Sequence, residues 1–420
     1  MIQLPAFLTK MIQQNAISFD QELPLQQIVD AIGDAQFVLL GESTHGTSEY
    51  YTARAQLSKK LIEEKGFTII AVEGDWPATF EVNSHIKGYP STEKSKRIVD
   101  VFNRWPTWMW ANEEVSTFVD WLKVHNAQKE AIAQVGFYGF DLYSLPESIE
   151  ELSQRLRDII PNESDLIEAQ QALSCFDPFE PLPDHYALST YHFNQNCEAE
   201  TESLQSIIQK YADFYPTEEE QRLNIKMNTL IIKNAEHYYR TSLQNDSQSW
   251  NIRDEHMAET VGELINYFGT DSKVIVWAHN THIGDARATA MKNEGMLNIG
   301  QIFREKYGKE NVYAVGFGTY EGTVIAGKAW GEPFQTMQVP PAKQHSWEHH
   351  LHSAGAYNQL LLFNKNNRQY FSEMIDHRAI GVVYQPEYEM YGNYVPSKIS
   401  ERYDGFIYYD KTTALHPIHV

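Results

Sequence analysis

A chain of 420 residues, 42% hydrophobic, 21% charged and 13% aromatic, has a folded globular composition that excludes long disordered segments; it is long enough for two or three domains, or for one α/β domain with a large insertion. Its formal charge of −22 repels phosphate backbones and anionic lipid surfaces, so no nucleic acid and no membrane is expected among its partners. Cys175 and Cys197 are too few for a disulfide framework and lack the C-x-x-C spacing of a redox or zinc motif, which fits a reducing compartment.

The opening MIQLPAFLTKMIQQNAISFD has only short apolar pieces, broken by Pro5, Lys10 and two glutamines. It reads as neither signal peptide nor membrane span, so a cytoplasmic chain is expected. Apolar runs then predict buried strands at 37–40, 67–72, 135–138, 274–277, 312–315, 380–384 and 406–409. Between the first two, 48–65 carries Tyr51, Ala55, Leu61 and Ile62 at mostly helical spacing, and Gly66 stops it. Strand, helix and strand make a βαβ unit, which sets the two strands parallel with a right-handed crossover. From about Pro146 to Tyr267 long polar stretches with helical periodicity take over, interrupted by the Pro-rich FDPFEPLP at 176–183. The predicted fold is α/β: a mostly parallel central sheet flanked by helices, built from 1–145 and 268–420, with a large helical insertion over 146–267 forming a cap or subdomain.

In open parallel sheets ligands bind beyond the carboxyl ends of the strands. There the predicted strands run into Gly41-Glu42-Ser43-Thr44-His45-Gly46, into Glu73-Gly74-Asp75-Trp76, into Gly139-Phe140-Asp141, and into Ala278-His279-Asn280-Thr281-His282-Ile283-Gly284. Four strands thus deliver carboxylates or imidazoles to one rim, the residue types of acid–base catalysis at neutral pH. His45 stands in a short loop with glycine at both ends, just before the predicted helix. Glu42 and Glu73 are the carboxylates that orient and tune an imidazole. Arg54, about two turns into that helix, leans back toward the rim, where it would bind a carbonyl oxygen or pin a carboxylate. Singly, each has an ordinary alternative: Glu42 as a helix cap, Arg54 as a surface ion pair, His282 as a loop histidine. Their gathering at strand ends favours function. His85, His192, His237 and His256 lack such partners and are taken as structural.

There is no G-x-S-x-G elbow, no P-loop and no H-E-x-x-H helix. Ser43, inside the glutamate–histidine loop, is read as a turn residue rather than a nucleophile. Two histidines and two glutamates on one rim also suit zinc or manganese, so a metal-dependent hydrolase stays open as an alternative.

The segments GESTHGTSEYYTARAQL, IIAVEGDW, YGFDLYSL, NIRDEHMAE, VIVWAHNTHIGDAR and IGQIFREKYGKENVYAVGFGTYEG resemble the erythromycin esterase family in order and spacing, from about Phe37 to Leu415. The resemblance implies an α/β core with a helical portion, a cleft between them, and hydrolytic opening of macrolide lactones. It implies His45 as base, Glu42 as its acidic partner, Glu73 as the second-strand carboxylate, Arg54 as the arginine and His279 as the late histidine. Its serine slot is variable, which weakens a nucleophilic Ser43. The segment RAIGVVYQPEYEMYGNYVPSKISERYDGFIYYDKTTAL looks more like the family's exopolysaccharide-labelled relatives than like its resistance enzymes.

The expected activity is hydrolysis of a small-molecule ester or lactone by water that His45 deprotonates, with Glu42 orienting the ring and Arg54 or His279 stabilising the oxyanion. His282, Asn280, Trp76 and Asp141 are the expected substrate-binding residues. No cofactor and no metal is required. A non-enzymatic protein binding a haem-like ligand is the remaining alternative.

Overall fold

The computed structural model describes residues 4–89, 97–179, 182–212 and 220–418. Eleven strands are found among them: β1 (Ile17–Phe19), β2 (Phe37–Leu40), β3 (Ile69–Asp75), β4 (Gly136–Asp141), β5 (Val274–Trp277), β6 (Val312–Gly327), β7 (Phe334–Val339), β8 (Asn358–Leu362), β9 (Ile375–Arg378), β10 (Tyr394–Ser397) and β11 (Gly405–Thr412). Nine form one sheet in the order β1-β8-β11-β6-β2-β5-β3-β4, with β7 folded back on β6, while β9 and β10 make a small antiparallel ladder. Every neighbouring pair from β11 to β4 is parallel; the antiparallel pairs are β8 with β11, β1 with β8 and β7 with β6.

The central strands are apolar throughout because helices cover both faces. Alternate residues go to opposite layers, as the two-residue period of a strand demands. Val38, Leu40, Ile70, Val72 and Trp277 pack with the helices Leu25–Ile32, Ser48–Lys65 and Glu113–Asn126. Phe37, Leu39, Ile69, Ala71, Val274 and Val276 face the helices Trp76–Lys87, Gln221–Ser242 and Asp246–Phe268. The predicted helix after β2 spans Ser48–Lys65, and Gly66 ends it at φ 70°, its N–H returning to the Leu61 carbonyl.

Among the described residues between Leu145 and Phe268 only helical elements occur, and they carry an apolar core of their own around Leu152, Leu204 and Ile232. Here two expectations are corrected. Cys175 and Cys197, read as suited to a reducing compartment, are joined in a disulfide with their Cα atoms 6.0 Å apart. The run 380–384 is no strand: Ile380 bridges only Thr44, Val383 only Gly327, and Gly381 between them interrupts a ladder.

Candidate active site

The rim begins where β2 ends. A Cβ on Gly41 would stand 2.2 Å from the Asn280 Oδ1, and one on Gly46 would stand 1.9 Å from the Ile325 carbonyl oxygen. Only glycine fits at either end, so the turn is pressed against the β5 loop and against β6. The Glu42 carbonyl accepts the Asn280 N–H at 2.8 Å and the Ser43 carbonyl accepts the Ile380 N–H at 2.8 Å. This clamps the backbone that carries Glu42 and His45.

Glu42 Oε1 meets His45 Nδ1 at 2.9 Å, which makes Nδ1 the protonated nitrogen and turns the Nε2 lone pair toward the cleft. Nε2 lies 4.0 Å from Glu73 Oε1. Burial lowers the pKa of His45, but Glu73 and Glu42 outweigh it and hold the ring above its ordinary value, with Arg253 opposing them. Arg54 pairs with the other Glu42 oxygen at 2.9 Å and lies over the rings of Tyr51 and Trp277. The contact is ionic rather than an aligned hydrogen bond.

Glu73 is the hub. Its Oε2 accepts the His279 N–H at 2.7 Å, and its Oε1 pairs with Arg253 Nη2 at 2.8 Å and lies 3.5 Å from His282 Nε2. Burial raises its pKa, yet His282 when protonated, His45, Arg253 and that N–H together hold it well below the usual carboxylate range. Arg253 also grips Asp141 through two hydrogen bonds, of 2.9 and 2.7 Å, which keep Asp141 ionised despite its burial. His279 accepts the Thr281 N–H on Nδ1 at 3.3 Å, so a neutral ring carries its proton on Nε2, which is buried beside the Ser43 backbone without an aligned hydrogen bond. Burial and then His45 push its pKa well below the ordinary value, so the ring is neutral. The His45 and His279 rings are 4.9 Å apart.

His45, Glu73, Asp141, His279 and His282 line one cleft of about 950 Å³, together with Tyr143, Trp250 and Trp330. Asp75 lines it too, paired with Arg104 at 2.5 Å. Glu42 supports His45 from below. Three further expected residues lie off the cleft. Trp76 is fully buried, stacked on Phe80 and Tyr138, and its indole N–H donates to Asn224. Asn280 is fully buried as well, its amide spent on the Phe317 backbone. Arg54 reaches Glu42 but not the cleft, so it cannot donate to an oxyanion there. The strand-end rule missed Arg253, which arrives from the distant helix Asp246–Phe268; its signal was the segment NIRDEHMAE. Among the described residues no three His, Cys, Asp or Glu side chains converge to hold a metal ion.

A family model described as Erythromycin esterase matches residues 62–412. YbfO of Bacillus subtilis (strain 168) is 23% identical over 90% of this chain and 84% of its own length. Erythromycin esterase type II of Escherichia coli is 22% identical over 96% of this chain and 95% of its own. Among solved structures, a succinoglycan biosynthesis protein superposes with a TM-score of 0.76 at 22% identity over 97% of both chains. An erythromycin esterase mutant in its open conformation gives 0.63 at 16% identity, covering 94% of this chain and 95% of its own. At such identities the structures share the fold.

Proposed function

Because this chain belongs to the erythromycin esterase family, we propose that it is a hydrolase cleaving an ester or macrolactone with a water molecule activated by His45. The observation that carries this reading is the pairing of two imidazoles on the cleft wall. One presents a lone pair; the other is neutral, with its Nε2 buried beside it. His45 Nε2 takes a proton from water while Glu42 stabilises the imidazolium that forms. The water oxygen bonds to the acyl carbon, and the carbonyl oxygen, now an oxyanion, accepts the Nε2–H of His279 once that ring turns out from its buried position. A donor so placed is typically worth about 3 kcal/mol of barrier. Collapse breaks the acyl–oxygen bond, and the alkoxide takes the proton back from His45.

Glu73 fixes the His279 backbone and raises the basicity of His45. The cleft, about 950 Å³ with aromatic walls, sits at the large end of small-molecule sites and suits a bulky substrate. The name of the Escherichia coli relative makes macrolactones the first class to try. The test is a hydrolysis screen of macrolides, simple lactones and aryl esters, read by mass spectrometry on enzyme and on His45→Asn. Turnover of any member that His45→Asn loses supports the reading; turnover that survives, or that a chelator abolishes with loss of stoichiometric zinc or manganese, overturns it.

A further inference from the structure

Across Glu73 from His45 stands a second carboxylate–imidazole pair that the mechanism leaves unused. Asp254 Oδ2 meets His282 Nδ1 at 2.8 Å, and its Oδ1 accepts the Ile299 N–H at 2.9 Å. Both side chains are buried. The His282 ring lies flat on Trp250, 4.6 Å away and 5° from parallel, and the Trp250 indole N–H is tied to the Leu297 carbonyl at 2.8 Å. Trp250, Arg253 and Asp254 come from one helix, three and four residues apart, so one face delivers all three.

The other ring nitrogen settles the tautomer. Arg253 Nη1 stands 3.0 Å from His282 Nε2, and a guanidinium can only donate. Nε2 is therefore the acceptor and Nδ1 carries the proton that Asp254 accepts. We propose that Asp254 is a positioning residue acting on His45 at a distance: it holds His282 in the Nδ1–H form, His282 accepts from Arg253, and Arg253 stays aimed at Glu73 and Asp141, leaving Glu73 an ionised neighbour of His45. The inference rests on the reading of His45 as the base. The charged and titratable groups facing His282 are Asp254 and Arg253 from the helix, Glu73 from β3 and His279 from its own loop; those facing His45 are Glu42, Glu73, His279 and Arg253.

Asp254→Asn separates these roles. The Ile299 N–H claims the amide oxygen, so the amide NH₂ faces Nδ1 and drives the proton to Nε2. There it opposes the Arg253 N–H and turns to Glu73 instead, which weakens the pull of Glu73 on His45. Nitrogen-15 NMR of the imidazoles is expected to show His282 switching from Nδ1–H to Nε2–H and the His45 pKa moving down, whether or not a substrate is known. With any ester the enzyme hydrolyses, kcat falls roughly 10–100-fold, as for removal of a supporting partner, and the acid limb of kcat/KM moves to lower pH. Asp254→Glu restores the Nδ1–H form and most of the rate. Should Asp254→Asn fail to fold, Asp254→Leu removes the Nδ1 acceptor, and loss of the Nδ1–H preference with a lower His45 pKa is the readout. An unchanged tautomer overturns the positioning role; a switched tautomer with His45 titrating as before overturns its reach to the base. If His45 shifts as expected while no ester is hydrolysed, the proposed activity fails and the positioning stands.

Discussion

Arg54 and Glu42 are both fully buried and meet at 2.9 Å beneath the rim, with Glu42 turning its other oxygen to His45. Removing one partner of such a pair leaves a charge without compensation in the interior. Arg54→Met is therefore expected to cost about 3–5 kcal/mol of stability in urea unfolding followed by circular dichroism. The charge-neutral double variant Glu42→Gln/Arg54→Met should regain most of that loss. A single variant within 1 kcal/mol of the parent, on the scale of an ordinary exposed pair, would show that the pair carries no such role.

His45→Asn should fold normally, because the ring sits at the cleft surface and its Glu42 contact can pass to an amide. Hydrolysis should drop about 10²–10⁴-fold, the usual loss on removing a general base. Near-normal turnover by the folded variant would exclude His45 as the base.

The pH dependence follows from the raised pKa of His45. A base works deprotonated, so kcat/KM should be low in acid and rise through a midpoint above 6.5, the ordinary histidine value. In Glu42→Gln/Arg54→Met the Glu42 contribution is gone, and the midpoint should fall. An acid limb that stays in place would mean that another group controls it.

Ser43 Oγ is buried and bonded to the Tyr50 hydroxyl at 2.7 Å, away from the cleft. Ser43→Ala should lose about 1 kcal/mol of stability for that hydrogen bond and keep a substantial fraction of activity. A single turnover in oxygen-18 water should label the product acid directly. An acyl adduct on Ser43 in intact-protein mass spectrometry would refute attack by water.

The parts of this site legible in the sequence are those that depend on neighbours along the chain. A strand, a turn and a capped helix place Glu42 and His45 within a few residues of each other, and β3 and β5 deliver Glu73 and His279 by the same local logic. What could not be read is what packing decides. Trp76 and Asn280 also follow strands, yet their side chains turn inward to Asn224 and to the Phe317 backbone. Arg253 lies 180 residues beyond Glu73 and meets it only through the tertiary fold. The strands β1, β7, β9 and β10 interleave polar residues where β2 and β5 are apolar throughout, and β8 is apolar only in its second half.

The bond between Cys175 and Cys197 takes up both thiols of the chain, since no other cysteine occurs in its sequence. The folded molecule is therefore blank to maleimides and other thiol probes. One cysteine introduced at an exposed position, such as Tyr391 near the cleft-lining Gly392, would be the single labelling address on the protein. A dye there would report directly on what enters the cleft.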